Sequence, residues 1–422
     1  MIKSLRLLFY SQMAKIIPFQ GIRPVADKVA LVTCRNYDDY SPAELAAWLD
    51  FNPYSFLHVI NPAYAHSQKI TLDKRFKGVA HKYQDFKNEG VLVPENKVAF
   101  YLYEIQSKTQ KFIGIVAGTA IEDYQNNIIK KHEDTLQYRV ELFKDYLHQT
   151  QFNTEPVLIT YPDKPEINQW IEQKKTEQPL FHFATTNKEK HTLWAITSEK
   201  EINWIQEQFN AISTLYIADG HHRSASAELL YNQDAATENN NLNYFMSFLI
   251  AESNVKIYEY NRIIRDLNGH TEATFIDLIS EHFIIKSKGQ ELWKPENKYE
   301  FGMYLNGNFY ALYYKQKKSE FVSSKMEILE NLDAQILYNT VLQTILGIED
   351  LRNDERIEYI SGKQSILTIK ELVDEGEFEV GFMLYPSDIS EIKTLADNDL
   401  IMPPKSTYIE PKFRSGLIIY EL

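Results

Sequence analysis

The sequence predicts an α+β protein of mixed sheets with flanking helices, and three observations carry that expectation. Short apolar runs bounded by turn residues, at 98–105, 112–121 and 215–218, have the length of buried strands. They alternate with stretches of helical apolar spacing such as 199–212. Of 422 residues, 44% are hydrophobic and 24% charged, an ordinary globular balance that excludes wholesale disorder. At roughly 100–200 residues per domain the length suggests two or three domains. Three regions are expected: an N-terminal α+β region over 1–152, a central region over 153–260 and a C-terminal α+β region over 261–422.

The first region opens with extended segments at 16–24 and 29–33. A helix follows Ser41-Pro42, where Ser caps and Pro takes the first turn. Asn52-Pro53-Tyr54-Ser55-Phe56-Leu57-His58-Val59 reads as a turn into a buried strand, with His58 structural between Leu57 and Val59. After the two apolar strands, Ile129, Leu136, Val140, Phe143 and Leu147 fall on one stripe of a predicted helix. The central region holds strands at 156–161, 192–196 and 215–218, the helix at 199–212, and a helix of small residues over 224–230. The last region alternates strands at 301–304, 309–314 and 380–384 with helices at 328–344 and 389–396. Loops are expected at 286–290, at 315–318 and at Asn239-Asn240-Asn241 after Ala235-Ala236.

Lys+Arg 45 against Asp+Glu 58 leaves a net charge of −13, and no Lys/Arg-rich block occurs. A large phosphate-tracking surface for nucleic acid is therefore excluded, and a small anionic ligand fits better. The lone Cys34 excludes an intramolecular disulfide and a zinc ribbon. Near the start, Lys3, Arg6 and Lys15 surround an apolar patch of Leu5, Leu7, Leu8, Phe9 and Tyr10 that is too short for a signal sequence. No run of about 18 apolar residues occurs anywhere. A cytoplasmic chain without a membrane span is expected.

Chemistry concentrates at Ile217-Ala218-Asp219-Gly220-His221-His222-Arg223-Ser224-Ala225-Ser226-Ala227. A strand that ends at Ala218, turns at Gly220 and enters a helix of small residues forms an anion site, because helix amides and dipole favour phosphate and Arg223 adds a planar fork. Asp219 is a candidate cation ligand or base, and His221 and His222 are candidate proton shuttles or phosphate donors. The plain alternative is that Asp219 caps the helix while one histidine packs and the other is solvated.

Lys130-Lys131-His132-Glu133-Asp134-Thr135 with Arg139 forms a second constellation, expected on one helix with His132 on its buried side. Glu133 beside an apolar stripe is a candidate catalytic carboxylate. The same spacing also suits a first helical turn whose acids favour the dipole. A third group, Met402-Pro403-Pro404-Lys405-Ser406-Thr407-Tyr408 with Pro411-Lys412 beyond, has stiffened backbone before a Lys-Ser-Thr cluster. It suits a carboxylate or phosphate, and equally an ordinary loop.

These strings, together with Pro18-Phe19-Gln20-Gly21-Ile22-Arg23-Pro24 and the segment from Asn52 to Val59, occur in the order found in domain-of-unknown-function (DUF) family 1015. The chain resembles that family over 17–422. It departs at Cys34-Arg35-Asn36-Tyr37-Asp38, where the family has Pro-Pro-Tyr-Asp, and at Asn261-Arg262, where the family has His-Arg. The Asp-Gly-His-His-Arg turn also resembles the nucleotide-binding turn of the ParB/sulfiredoxin-like group, which includes nucleotidases, sulfiredoxins and kinases acting on free serine.

That second resemblance implies a ParB/sulfiredoxin-like nucleotide-binding core. It implies a nucleoside triphosphate or diphosphate with magnesium, held by Gly220, Arg223 and Ser224, with Asp219 as metal ligand. Asp219, His221, His222 and Glu133 would be catalytic, and Arg23, His132, Arg139, Lys405 and Thr407 would bind a small anionic metabolite. The implied activity is phosphoryl transfer from, or hydrolysis of, a nucleotide, the acceptor being a small hydroxylated metabolite such as a free amino acid. A non-catalytic nucleotide or anion sensor using the same turn is the alternative. A metal-dependent hydrolase built on Asp219, His221 and His222 is a third. The turn is expected on the floor of one cleft, shared with Arg23, His132, Glu133, Arg139 and Lys405.

Overall fold

Phe100–Gln106 and Lys111–Ala120 are apolar on both faces, so they need cover on both, and they pair antiparallel near the centre of a nine-stranded sheet. From one edge the strand order is Ile129–Lys130, Leu215–Asp219, Val157–Tyr161, Tyr244–Ala251, Lys111–Ala120, Phe100–Gln106, Lys190–Ile196 and Phe181–Ala184, with Ile16–Ile17 added on Lys111–Ala120. Two neighbouring pairs are parallel and the rest antiparallel. The computed structural model describes residues 13–60, 70–234, 239–315 and 324–422.

The chain divides into two units, the first comprising 1–130, 135–255 and 411–422, the second 131–134 and 256–410. In the first, Ile115, Ile159, Phe209, Ile217 and Leu249 are fully buried in one core beside the sheet. A second cluster, around Phe56, Tyr83, Phe86 and Phe152, packs the helix Leu72–Asn88. The second unit has its own seven-stranded antiparallel sheet. Its order runs Phe283–Gly289, Asn308–Tyr314, Glu300–Leu305, Val380–Met383, Lys256–Ile264 and Ile357–Ser361, and Thr407–Glu410 pairs with the first half of Lys256–Ile264. Phe275, Phe301, Leu337 and Phe382 fill its core. Among the described residues no helix is long and apolar enough to cross a membrane.

The α+β class with mixed sheets and flanking helices is as the sequence predicts. Where the sequence suggests three regions there are two units. The boundary at 152/153 falls within the first unit, whose sheet pairs Val157–Tyr161 with Tyr244–Ala251 and that strand with Lys111–Ala120. The boundary at 260/261 falls inside Lys256–Ile264. The helix at Pro42–Phe51 begins as expected, its Ser41 side chain accepting from the Glu44 amide.

Several local expectations change. The segment 29–33 is a short helix, Val29–Val32, and the expected strand after Asn52 is the helix Leu57–Ile60. In both, apolar runs of strand length are buried by tertiary packing as single helical turns. His58 is structural, its Nε2 3.0 Å from the Asn52 carbonyl oxygen. The predicted helix beginning near Ile129 starts only at Gln137; Ile129 belongs to a strand, and Phe143 is exposed. The helix expected over 328–344 breaks at Asn331-Leu332 between Lys325–Glu330 and Asp333–Leu337. Lys286 to Gly289 complete the strand Phe283–Gly289 instead of forming a loop. Asn239 caps a short helical turn, Asn240–Asn243. Residues 1–12, Ala235-Ala236 and Gln316-Lys317-Lys318 lie outside the described residues.

Candidate functional site

Leu215–Asp219 is a strand because four consecutive apolar side chains, Leu215 to Ala218, are buried on both its faces. Its pairing with Val157–Tyr161 is regular to Ile217 and then shifts by a bulge before Asp219, which re-aims the last side chain of the strand. Gly220 follows at φ +99, a backbone that L side chains rarely adopt, and the helix His221–Asp234 starts at once, with the Arg223 and Ser224 amides donating to the Gly220 carbonyl. The turn is thus strand to helix, as predicted, and the helix begins three residues earlier than expected.

Gly220 is required twice over. A Cβ there would lie 2.9 Å from Arg223 Nε, because the arginine side chain folds back across the turn. Gly220→Ala is expected to destabilise the protein by at least about 1 kcal/mol in urea unfolding and to displace Arg223. Gly90→Ala, with similar positive φ (+70) but nothing within 4 Å of the new carbon, isolates the backbone component. Equal losses in the two variants would show that Arg223 is not held against the turn.

Asp219 is the hub of the turn. Its Oδ2 accepts from Arg223 Nη2 at 2.7 Å and its Oδ1 from Lys412 Nζ at 3.1 Å. Burial pushes its carboxyl up, but Lys412 and then Arg223 outweigh that and hold it well below the usual carboxylate range. Asp219 is therefore held ionised at neutral pH between two cations. With a cation already on each oxygen, the donor set does not fit a divalent metal, and among the described residues no three His, Cys, Asp or Glu side chains cluster as a metal site.

The other residues of the motif are drawn into the scaffold. Arg223 Nη1 donates to the Pro156 carbonyl at 2.8 Å and lies 3.9 Å from Glu155 Oε2. His222 Nε2 accepts the Leu136 amide at 3.0 Å, which places the ring proton on Nδ1 and pins the start of the helix Gln137–Thr150. Ser226 Oγ donates to the Val140 carbonyl, a second tie between those helices. Ser224 is fully buried and its hydroxyl donates to the His221 carbonyl. His221 is buried.

The segment after Glu410 returns to this turn. Lys412 reaches Asp219, Arg414 donates to the Thr33 carbonyl and hydroxyl, Ser415 Oγ donates to Glu155 Oε1 at 3.0 Å, and the Gly416 amide donates to Thr154 Oγ1. Lys412 and Glu155 are the participants that motif reading leaves unassigned. Pro411-Lys412 stands out in sequence, but nothing in the pattern ties it to a carboxylate 193 residues away.

The residues expected to share one cleft are divided between the two units and are described within each. Arg139 lies exposed in the first turn of Gln137–Thr150, the helix tied to His221–Asp234. Arg23 is ion-paired with Glu95 and lies 5.4 Å from the ring of Phe181, at the opposite end of the strand order from Leu215–Asp219. His132 and Glu133 belong to the second unit and to no helix, which corrects the helical-stripe expectation. His132 is nonetheless buried, and its carbonyl accepts the Met402 amide at 2.9 Å, so two of the distant strings do meet. Glu133 is exposed, without the apolar stripe expected beside it. Lys405 is exposed at φ +53, and Thr407 opens the strand Thr407–Glu410.

No curated protein matches the chain. Among solved structures it is similar to a free serine kinase in complex with AMP, at 14% identity and a TM-score of 0.35, covering 71% of this chain and 88% of that one. A conserved hypothetical protein from Pyrococcus furiosus is 13% identical with a TM-score of 0.35, covering 71% and 91%. SbnI with C-terminal truncation from Staphylococcus aureus is 14% identical with a TM-score of 0.36, covering 70% and 82%. The model of the family described as "Protein of unknown function (DUF1015)" matches residues 16–335, three-quarters of the sequence and both of the motif-bearing stretches before residue 335, and the chain belongs to that family.

Proposed function

We propose that the chain is a nucleotide-dependent phosphotransferase or phosphohydrolase acting on a small hydroxylated metabolite, a free amino acid such as serine. The observation that carries the reading is the Asp219 turn, where a helix start and the Lys412 and Arg223 cations converge on one carboxylate. The first amides of a helix lack intrahelical carbonyl partners and carry the positive end of the dipole, so they receive phosphate oxygens. Lys412, one-third exposed beside Asp219, would trade part of that contact for a phosphate oxygen. Phosphoryl transfer asks little covalent chemistry of the protein and much positioning, which suits a charge cluster locked by Glu155, Pro156 and Ser415. Magnesium accompanies the nucleotide phosphates, and no protein ligand for it is assigned. Arg23, His132, Glu133, Arg139, Lys405 and Thr407 remain the candidates for acceptor binding and proton abstraction.

One observation favours the alternative of a non-catalytic nucleotide or anion sensor: Arg223, His222 and Ser224 are all committed to scaffold bonds. Turnover separates the two readings. Purified protein is expected to be stabilised by a nucleotide, with a ligand at ~100 times its dissociation constant adding about 2.7 kcal/mol, and to consume it when the acceptor is present. Arg223→Lys keeps the charge but meets only one of the partners that the planar fork spans, so nucleotide affinity is expected to fall roughly tenfold or more. Stabilisation without turnover across nucleotides and acceptors would leave the sensor, and neither response would remove both.

A further inference from the structure

Lys256–Ile264, the longest strand of the second unit, carries Arg262 opposite Tyr359 on one neighbour and Phe382 on the other. Arg262 is 1% exposed, the largest fully buried side chain described. Its Nη1 donates to the Tyr260 carbonyl, its Nη2 lies 3.4 Å from the Lys405 carbonyl, and the Tyr359 ring is 5.7 Å away. Nε has no hydrogen-bond partner among the described residues. Burial pushes the guanidinium down to about 10, with Tyr359 pulling the other way, so it remains a cation at neutral pH.

A buried cation without an anion is costly, by several kcal/mol even after relaxation, and carbonyls with an aromatic face offset only part of that. Such a group persists where an anion arrives. The open position is the Nε–Nη2 edge, the fork that takes two carboxylate oxygens side by side. The one group that meets this edge is the Lys405 carbonyl at Nη2, carried by the turn that Ser406 Oγ closes by donating to the Pro403 carbonyl. That turn is held loosely where it meets the arginine. Its 3.4 Å contact is long against the 2.7–2.9 Å of charge-assisted bonds, and Lys405 is left-handed without being glycine. The Lys405 Nζ stands 5.3 Å from the Tyr260 ring, on a side chain exposed to solvent.

We propose that Arg262 anchors a carboxylate-binding site in the second unit, in which a small carboxylate displaces the Lys405 carbonyl from the Nε–Nη2 edge and the Lys405 ammonium closes over it. The ligand is a carboxylate because its two oxygens accept side by side from the Nε–H and Nη2–H of a buried planar fork, whatever charge the rest of the molecule carries. The site shares Lys405 with the acceptor candidates but uses no residue of the Asp219 turn and needs no nucleotide.

The test uses the full chain without nucleotide, titrated with acetate, L-serine or inorganic phosphate. Melting temperature and the arginine Nε–H resonances are followed, the Arg262 signal being assigned by its loss in Arg262→Lys. The expected result is a rise in melting temperature with a carboxylate, together with a shift of the Arg262 resonance. Arg262→Met without ligand is expected to melt at or above the wild-type temperature, because it removes an unpaired buried charge, and to bind the carboxylate at least tenfold more weakly. Lys405→Ala, an exposed substitution that leaves the fold intact, should weaken binding several-fold and covers the case in which the methionine variant does not fold. Failure of both carboxylates to shift the Arg262 resonance, unchanged affinity in the variants, or a response to phosphate alone would overturn the proposal, and each leaves the nucleotide reading standing.

Discussion

Asp219→Asn is expected to fold normally and to lose nucleotide turnover by roughly 100-fold. The carboxylate is one-third exposed, so its two ion pairs contribute little to global stability, about 1 kcal/mol or less. An amide keeps one acceptor oxygen but offers an N–H₂ to the second cation. Arg223 or Lys412 is then repelled from the position that the carboxylate holds for it. A displacement of about 1 Å in a positioning group is enough for a loss of that size. Because Lys412 acts through the same carboxylate, Lys412→Gln and the double variant should be non-additive, the second substitution costing far less in the Asp219→Asn background. Unchanged melting temperature with unchanged turnover would show the carboxylate to be scaffold alone, and additive effects would show that Lys412 does not work through it.

The central sheet was legible because the runs that form it are apolar for four or more residues and are buried on both faces, as at Leu215 to Ala218 and Phe100 to Tyr103. The turn at Gly220 was legible because a positive-φ glycine between an apolar run and a helix of small residues has few other uses. The stripe from Ile129 to Leu147 misled because apolar residues spaced by seven and four fit a helix whether or not the first of them belongs to it. Here Ile129 pairs with Leu215 in the sheet, and 131–134 leave for the other unit. Short helices such as Leu57–Ile60 are decided by what packs on them, which one sequence does not display. In the site, the residue types were visible but their partners were not. Lys412 with Asp219, Ser415 with Glu155, and Arg262 with the Lys405 carbonyl are facts of chain folding over 143 to 260 positions of separation.

The largest effect on stability is expected at Asp333, in the second unit. Its carboxylate is 7% exposed and both oxygens accept from the Tyr299 amide, at 3.1 and 3.2 Å. Burial raises its pKa to about 7; the Tyr299 bond and Lys298 pull down, while Glu391 and Glu300 push up. Because the folded value lies above the unfolded one of about 3.9, the folded protein binds the extra proton between pH 4 and 7, and stability falls as pH rises through that window. About three pH units at ~1.4 kcal/mol each set an upper bound of roughly 4 kcal/mol on the loss. Asp333→Asn keeps an acceptor for Tyr299 and cannot ionise. It should therefore match the wild type near pH 4 and become progressively more stable than it toward pH 8, as measured by urea unfolding at a series of pH values. A difference between the two proteins that stays constant from pH 4 to 8 would mean that the buried carboxylate is ionised throughout, with Lys298 supplying the compensation that its ion pair with Glu391 otherwise takes up.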